Sequence, residues 1–164
     1  MTAEDVKRVL GLRPHPREGG WFVRTWEAEE WVAVGDRYDG PRRTSTAIYY
    51  LLEPGTFSEM HVLKSDEIFH HYLGDAVEML QLFVDGSSQV TVLGKDIVAG
   101  EKVQHVVPRG VWQGSRLVKQ EGWALLGCTV SPGFEFEDYE DAGAEELVAR
   151  WPGAAEMIRG LTNR

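Results

Sequence analysis

The feature that most constrains the fold of this chain is a series of short β-forming stretches between Trp21 and about Val130. Each stretch is rich in valine, isoleucine, threonine and aromatic residues, and glycine, proline, aspartate or serine separates it from the next. The stretches read WFVRTWEAEEWVAV, TSTAIYYLLEPG, FSEMHVL, DEIFHHYLGD, VEMLQLFVDGSSQVTVLG, KVQHVVPRG and GWALLGCTVSPG. Because no helical pattern lies between them, consecutive strands have no crossover helix to make them parallel. The series predicts an all-β, antiparallel sandwich or barrel over about residues 20–135.

Helical patterns flank this β-region at both ends. Thr2 and Asp5 have the spacing of a capping box, an apolar stripe follows, and Gly11 can end the helix. Near the C-terminus, apolar residues recur at helical spacing with a break at Pro152. We therefore expect short helices over residues 3–11 and about 143–161. With 164 residues and no internal repeat or linker, the chain is predicted to form a single domain over residues 1–164.

The charge balance disfavours two classes of partner. The chain has 17 basic and 26 acidic residues, for a formal net charge of −9, and the basic residues are scattered. A surface of that sign repels phosphate backbones and anionic lipids, so we expect neither nucleic acid nor membrane as a partner. The N-terminal MTAEDVKRVLGL lacks the pattern of a signal peptide. The expected location is the cytoplasm.

Three further segments carry expectations about burial. The single cysteine, Cys128, lies in the apolar stretch ALLGCTVS and is expected to be a buried thiol without a disulfide partner. Residues 77–82 are typical of a strand covered on both faces, and we expect a second subunit against one of them. Residues 84–89, VDGSSQ, predict a hairpin turn. The acidic run FEFEDYEDAGAEE is predicted to be solvated.

Titratable residues cluster in SEMHVLKSDEIFHHYLGD, residues 58–75, which holds three of the five histidines. A hairpin at the polar bend between His61 and Glu67 would bring the imidazole and the carboxylate to one face. These groups are the minimum for a metal site or for general acid–base catalysis, and both uses stay open. Strand alternation from Glu67 places His71 on its face and His70 on the other, although a bulge would exchange the two histidines.

Downstream, VVPRGVWQG predicts a turn that leads into a strand with Trp112 and Gln113. The amide of Gln113 can position a substrate, or can ligate a hard metal ion through its oxygen. We take Gln113, His71, Tyr72 and Trp112 as candidate substrate-binding residues.

The spacing around His61 resembles the first motif of the cupin superfamily. That motif runs Gly, five residues, His-x-His, three or four residues, Glu, six residues, Gly. The chain matches it with Gly55, His61, Glu67 and Gly74, and Leu63 takes the place of the second histidine.

The second cupin motif, Gly, five to seven residues, Pro-x-Gly-x-x-His, is matched by Gly100, Pro108 and Gly110. Its terminal histidine is replaced by Gln113. The resemblance is therefore close in the turns and weaker in the metal-binding histidines.

More narrowly, the chain resembles the cupin-5 group, long described as a domain of unknown function. The matching stretches, which extend over most of residues 10–161, are HPREGGWF, TAIYYLL, MHVLKSDEIFHHYLGD, VPRGVWQGSRL, LLGCTVSPGFEFEDYE and ARWPGAAEMIRGL. The chain departs from the group at Val23 and Arg24, where relatives tend to have Arg and then Glu.

This resemblance implies a cupin double-stranded β-helix of jelly-roll type with a pocket inside the barrel, usually paired into a homodimer. Relatives include deoxysugar epimerases and seed storage proteins, which share the fold without sharing one function. The family pattern has functional positions at His61, Glu67, His70 and Gln113. Relatives more often have an aromatic residue where this chain has His71, which favours His70 as the functional histidine.

Three functions remain open. In the first, His61, Glu67 and His70 are catalytic and perform an isomerase- or epimerase-like proton transfer on a sugar, a nucleotide sugar or another small polar metabolite. In the second, His61, Glu67, His70 and Gln113 hold a divalent metal ion, although they offer fewer nitrogen donors than mononuclear sites usually have. In the third, a binding or storage-type cupin uses the same residues as a hydrogen-bonded network without catalysis. We expect a small-molecule ligand, a homodimer, and no cofactor other than that ion.

Overall fold

Two antiparallel β-sheets form the centre of the protein in the computed structural model, which describes residues 1–163. The strands are β1 (Arg13–Pro14), β2 (Trp21–Glu27), β3 (Trp31–Val32), β4 (Arg42–Arg43), β5 (Thr46–Leu52), β6 (Phe57–Leu63), β7 (Asp66–Gly74), β8 (Val77–Leu82), β9 (Ser88–Leu93), β10 (Gln104–Val107), β11 (Trp112–Leu117), β12 (Ala124–Ser131) and β13 (Tyr139–Asp141). The α-helices are α1 (Ala3–Leu10), α2 (Ala144–Arg150) and α3 (Ala155–Gly160). Single turns of 3₁₀ helix lie at Gly35–Arg37, Phe136–Asp138 and Pro152–Ala154.

One sheet has six strands in the order β1-β2-β5-β12-β7-β10, and the other has five in the order β13-β6-β11-β8-β9. Strands β3 and β4 pair separately. The main core lies between the two large sheets: Tyr50, Phe69 and Leu126 of the first pack with Met79 and Leu117 of the second. The prediction of an all-β fold with short flanking helices is confirmed.

The N-terminal helix forms as its sequence predicts. The Thr2 side chain accepts a hydrogen bond from the backbone N–H of Asp5, the Asp5 carboxylate accepts one from the N–H of Thr2, and Gly11 ends the helix with φ of +68°. Helix α1 then packs Val6 against Leu125 on the outside of the six-stranded sheet. Within residues 1–163, none of the helices has the length and apolar character needed to cross a bilayer.

Strand β8 is covered on both faces, as its pattern predicts, although the second cover is not another subunit. Val77 and Met79 face the core between the sheets. Leu80 and Leu82 face the other way and pack with a cluster from the C-terminal helices that includes Leu147, Trp151, Ile158 and Leu161. The tail of the same chain therefore covers the face that we assigned to a partner.

The predicted turn at residues 84–89 lies between β8 and β9. The backbone N–H of Phe83 donates to the carbonyl of Ser87 at 2.9 Å, and Gly86 has φ of +87°. The hairpin prediction is confirmed, with β9 beginning at Ser88 rather than after Gln89.

The acidic run after β12 was predicted to be solvated, and here the structure differs. Asp138 is 3% exposed and accepts two hydrogen bonds from the guanidinium of Arg42, at 2.7 and 2.9 Å. Tyr139 is also buried, and it begins β13, which pairs with β6. Arg42 lies far away in sequence, so a local reading of the run could not find this ion pair.

Candidate functional site

A cavity of about 270 Å³ lies between the sheets near the start of β7. Its lining combines polar and aromatic side chains. The polar group consists of His15, Glu18, His61 and Glu67, and the aromatic group of Phe22, Phe134 and Phe136. Two arginines, Arg13 and Arg24, also line it. A mostly apolar enclosure with a few convergent polar groups is the usual form of a small-molecule site.

His61, on β6, is held in one orientation by its own strand and by Tyr139. Its Nδ1 atom lies 2.7 Å from the carbonyl oxygen of Glu59, and its ring stacks on that of Tyr139 at a centroid distance of 4.9 Å. A carbonyl only accepts, so Nδ1 carries the proton and Nε2 keeps its lone pair in the neutral ring. Within residues 1–163, Nε2 of His61 has no hydrogen-bond partner, so its lone pair is open to a ligand.

Glu67, on β7, supplies the second titratable group of the cavity. It is 6% exposed, and burial raises the pKa of its carboxyl to about 7. The amide Nε2 of Gln113 donates to Oε2 of Glu67 at 2.6 Å. The nearby His61, this hydrogen bond and the Cys128 thiol oppose the effect of burial on the pKa. At neutral pH the carboxyl can therefore both give and take a proton.

The floor of the site follows from the register of the strands. Gln113 on β11 pairs directly with His61 on β6, so the two sequence motifs meet side by side. Gln113 is 1% exposed and lies behind Glu67, where it supports the carboxyl rather than lining the cavity. Cys128 is buried, as predicted, and it also lines the cavity, which its sequence did not indicate.

Four of the predicted site residues lie elsewhere. His70 is on the outer face of β7, where its ring stacks on Tyr72 at 6.0 Å and its Nδ1 lies 3.4 Å from Nε2 of Gln104. Tyr72 is 48% exposed on that face. The bulge that could have exchanged His70 with His71 occurs beyond His71, opposite Leu125 and Leu126. Strand alternation from Glu67 therefore turns His71 inward and His70 outward, and the expectation that His70 faces the pocket is wrong.

His71 points inward from β7 but does not join the cavity. Its Nε2 atom bonds the carbonyl of Asp75 at 2.9 Å, and the buried Phe69 lies between it and Glu67 on the same face. Trp112 faces away from Gln113 and packs with the apolar cluster of the C-terminal helices. Of the predicted set, the structure thus brings together His61, Glu67 and Gln113.

Among the lining residues that sequence reasoning missed are an imidazole and a carboxylate, His15 and Glu18. They belong to HPREGG, which forms a turn between β1 and β2. Gly19 and Gly20 have φ of +91° and +66°, and a Cβ atom on Gly20 would lie 2.8 Å from the carbonyl oxygen of Leu51. Only glycine fits this close approach of the turn to β5 and β6. The sequence signal that could have located His15 and Glu18 was the pair of glycines that follows them in HPREGG.

The donors present do not fit the divalent ion that the family resemblance implies. Within residues 1–163 there is no group of three or more His, Cys, Asp or Glu side chains placed to bind a metal. Leu63 lines the cavity where the motif has its second histidine, and His70 lies outside. Gln113 directs its NH₂ group, not its oxygen, at Glu67. The predicted ligand set of His61, Glu67, His70 and Gln113 is therefore not assembled.

Two facing antiparallel sheets around this cavity define the class of the protein as a cupin-type β-sandwich. A variant of oxalate decarboxylase from Bacillus subtilis shares the fold, with a TM-score of 0.58 and 16% identity over 93% of this chain and 38% of that chain. The chain belongs to the family described as "Cupin superfamily (DUF985)", whose model matches residues 4–142. The predicted family is thereby confirmed.

Two solved structures with higher sequence identity share the fold over nearly their whole length, and one further relative is similar in sequence. Protein SO0799 from Shewanella oneidensis is 31% identical, with a TM-score of 0.89 over 99% of this chain and 98% of that chain. A hypothetical protein from Leishmania major is 28% identical, with a TM-score of 0.92 and full coverage of both chains. Uncharacterized protein YML079W from Saccharomyces cerevisiae is 31% identical over 155 residues, 86% of this chain and 77% of that protein.

Proposed function

We propose that the chain binds a small polar metabolite in this cavity and transfers protons to and from it, with His61 and Glu67 as the acid–base pair. The observation that carries the proposal is that one cavity is lined by an imidazole, whose Nε2 has no hydrogen-bond partner among residues 1–163, and by a carboxyl with a pKa of about 7. Groups that titrate near neutral pH are the most effective general acids and bases.

The direction of proton flow follows from these two environments. Because Nδ1 of His61 donates its proton in a hydrogen bond to the Glu59 carbonyl, Nε2 is the atom that removes a proton from the ligand. Glu67, when protonated, gives a proton to the ligand. The proton taken up by His61 then passes to solvent, and Glu67 regains a proton from solvent. Its position is held by the hydrogen bond that Oε2 accepts from Gln113.

A sugar, or the sugar of a nucleotide sugar, is the proposed ligand, and an isomerase or epimerase is the proposed enzyme class. The size of the cavity supports a small ligand, because about 270 Å³ is slightly below the usual range of about 300–1,000 Å³ for ligand sites. A nucleotide attached to the sugar would extend past the aromatic side chains into solvent. We further propose that the protein acts in the cytoplasm.

Proton transfer can be tested directly by hydrogen exchange. The protein is incubated in D₂O with a panel of aldoses, ketoses and nucleotide sugars, and ¹H NMR follows the loss of C–H signals. We expect exchange with at least one compound, and its loss in His61→Ala and in Glu67→Gln. His70→Ala is the matched control, since it removes an imidazole of the same motif that lies outside the cavity.

Other outcomes contradict the proposal in different ways. Exchange that survives His61→Ala would remove His61 from the reaction. Ligand-induced thermal stabilisation with no exchange would indicate a binding protein without catalysis.

We also propose that the protein is a homodimer formed through the outer face of the six-stranded sheet. The face is partly apolar: Tyr72, Leu73 and Val106 are each between 45% and 49% exposed, and contiguous exposed apolar side chains commonly mark interfaces. We expect Tyr72→Glu to convert a dimer into a monomer in multi-angle light scattering, and Val84→Glu, in the distant β8–β9 turn, to have no effect. A monomeric unmodified protein at micromolar concentration would contradict the proposal.

A further inference from the structure

The turn of residues 15–20 places an imidazole and a carboxylate in the cavity wall that the proposed proton transfer does not use. The His15 side chain is 3% exposed and that of Glu18 is 13% exposed, and both line the cavity. Buried polar side chains are normally satisfied by hydrogen bonds, so the partners of these two groups are informative.

The backbone of the turn determines which nitrogen of His15 carries its proton. The Nδ1 atom accepts hydrogen bonds from the N–H groups of Glu18 at 2.8 Å and Arg17 at 3.4 Å. An atom that accepts from two N–H groups has no proton of its own, so the proton of the neutral ring is on Nε2. Burial lowers the pKa of His15, and the ring is therefore neutral near pH 7. His15 presents a donor, whereas Nε2 of His61 presents an acceptor.

The carboxylate of Glu18 lies beside this donor but does not satisfy it. Its Oε2 atom is 3.8 Å from Nε2 of His15, which is beyond hydrogen-bond distance. Its other oxygen, Oε1, accepts from the hydroxyl of Ser58. An oxygen atom placed about 2.8 Å from both Nε2 and Oε2 would accept from the first and donate to the second. A hydroxyl group has this combination of one donor and free lone pairs.

Backbone hydrogen bonds of the turn fix the 3.8 Å separation between Nε2 of His15 and Oε2 of Glu18. The carbonyl of Glu18 accepts from the N–H of Glu59 at 2.8 Å, and the carbonyl of Gly19 accepts from the hydroxyl of Tyr50 at 2.8 Å. The N–H of His15 donates to the carbonyl of Gly20 at 3.0 Å. Because these bonds tie the turn to both sheets, His15 and Glu18 do not need to be ordered by the ligand.

We propose that His15 and Glu18 form a hydroxyl-binding subsite, in which a ligand hydroxyl accepts a hydrogen bond from Nε2 of His15 and donates one to Oε2 of Glu18. The inference rests on the proposed function in that both concern one cavity, and it narrows the ligand class to polyols and sugars. The flanking Phe22, whose ring centroid lies 4.6 Å from that of His15, offers an apolar surface to the C–H groups that accompany sugar hydroxyls.

The test uses small probes and needs no knowledge of the natural ligand. Histidine side chains are observed by long-range ¹H–¹⁵N NMR at pH 7 while glycerol is titrated into the full-length protein. We expect His15 to be in the Nε2–H tautomer and its ¹⁵N signals to shift with glycerol, while those of His70 do not. We expect 1,2-dimethoxyethane, which has similar oxygens but no hydroxyl, to leave His15 unchanged.

Glu18→Gln tests the second half of the subsite with little change of shape. A hydrogen bond to a charged group contributes about 1.5–3 kcal/mol, so we expect glycerol affinity at His15 to fall about tenfold or more. The histidine signals of His70 and His71 report whether the variant keeps its fold. If Glu18→Gln does not keep its fold, His15→Gln is the second variant, with glycerol binding read from the ¹⁵N signals of His61 in the same cavity. The glutamine keeps a donor, so this variant should retain part of the affinity.

Three results would overturn the subsite: an Nδ1–H tautomer or an imidazolium for His15, equal shifts with glycerol and dimethoxyethane, or unchanged glycerol affinity in Glu18→Gln. The proposed proton transfer fails by a different result, the absence of His61-dependent C–H exchange. Failure of the hydroxyl-binding subsite and failure of the proton transfer can therefore be told apart.

Discussion

The amide Nε2 of Gln113 donates a 2.6 Å hydrogen bond to Oε2 of Glu67, and both side chains are buried. The bond joins the second cupin motif to the first, at the position where a cupin metal site would have a histidine. Here the amide supports a carboxyl instead. This relationship determines how the site responds to pH and to substitution.

Glu67 makes the stability of the protein depend on pH. Its pKa is raised from 4.5 to about 7 in the folded state. Between these values the folded state keeps a proton that the unfolded state has released, so stability falls as pH rises from about 4.5 to 7. The full loss is about 3 kcal/mol at most. We expect Glu67→Gln to remove this decline in urea denaturation measured across that range.

The control for this prediction is Glu156→Gln, which changes an exposed carboxylate on α3. It should reproduce the pH dependence of the unmodified protein. If the stability of Glu67→Gln had the same pH dependence as that of the unmodified protein, Glu67 would titrate in its ordinary range.

Gln113→Leu removes the hydrogen bond onto Glu67 while keeping a buried side chain of similar size. Because that bond favours the ionised carboxylate, we expect the pKa of Glu67 to rise above about 7. The measurement is a ¹³C NMR titration of the glutamate carboxyl carbons. Gln104→Leu, on the outer face of β10, should leave the Glu67 titration in place. An unchanged pKa in Gln113→Leu would mean that the amide does not act on the carboxyl.

The ion pair between Arg42 and Asp138 should be a large contributor to stability. Its two side chains are 3–4% exposed, and removing Asp138 leaves the buried Arg42 guanidinium paired only with the exposed Glu137. We expect Asp138→Ala to lower the free energy of unfolding by about 3 kcal/mol in urea denaturation. Replacing both partners, Arg42→Met with Asp138→Leu, should recover part of the loss. If the double variant lost as much free energy as Arg42→Met alone plus Asp138→Leu alone, the pair would not act as a unit.

Gly19→Ala should destabilise the turn that carries His15 and Glu18. Its φ of +91° is unfavourable for alanine, and the new Cβ would collide with the carbonyl oxygen of Phe57. We expect a loss of about 1–3 kcal/mol in the free energy of unfolding. Gly35→Ala isolates the backbone effect, since Gly35 also has positive φ but open space around it. An equal loss of unfolding free energy in both variants would show that the contact with Phe57 adds nothing to the backbone strain.

Restoring the two missing motif histidines should create a metal site. Leu63 and Gln113 occupy those positions, and Leu63 lines the cavity with His61 and Glu67. We expect Ni²⁺ or Zn²⁺ to raise the melting temperature of the double variant Leu63→His/Gln113→His, but not that of the unmodified protein. Adding His70→Ala to the double variant should not change the effect. Equal stabilisation of the unmodified protein would show that its own donors suffice.

Much of the architecture could be predicted because it depends on local patterns. The capping box of Thr2 and Asp5, the turn after β8 and the alternation of β7 are set by neighbours a few residues apart. The glycines and histidine of the first motif likewise located the site at His61 and Glu67. The acidic run was misread for the same reason, because the partner of Asp138 is Arg42, about a hundred residues earlier.

By itself, the sequence determined the all-β fold, the family and two residues of the cavity. Only the tertiary structure decided which other residues join them. Alternation along β7 turned His70 outward, the pairing of β11 with β6 placed Gln113 behind Glu67, and a glycine turn brought His15 and Glu18 into the wall. The physical reason is that a hydrogen-bonded site requires side chains from separate strands within about 3 Å, and strand register is set by the packing of the whole core.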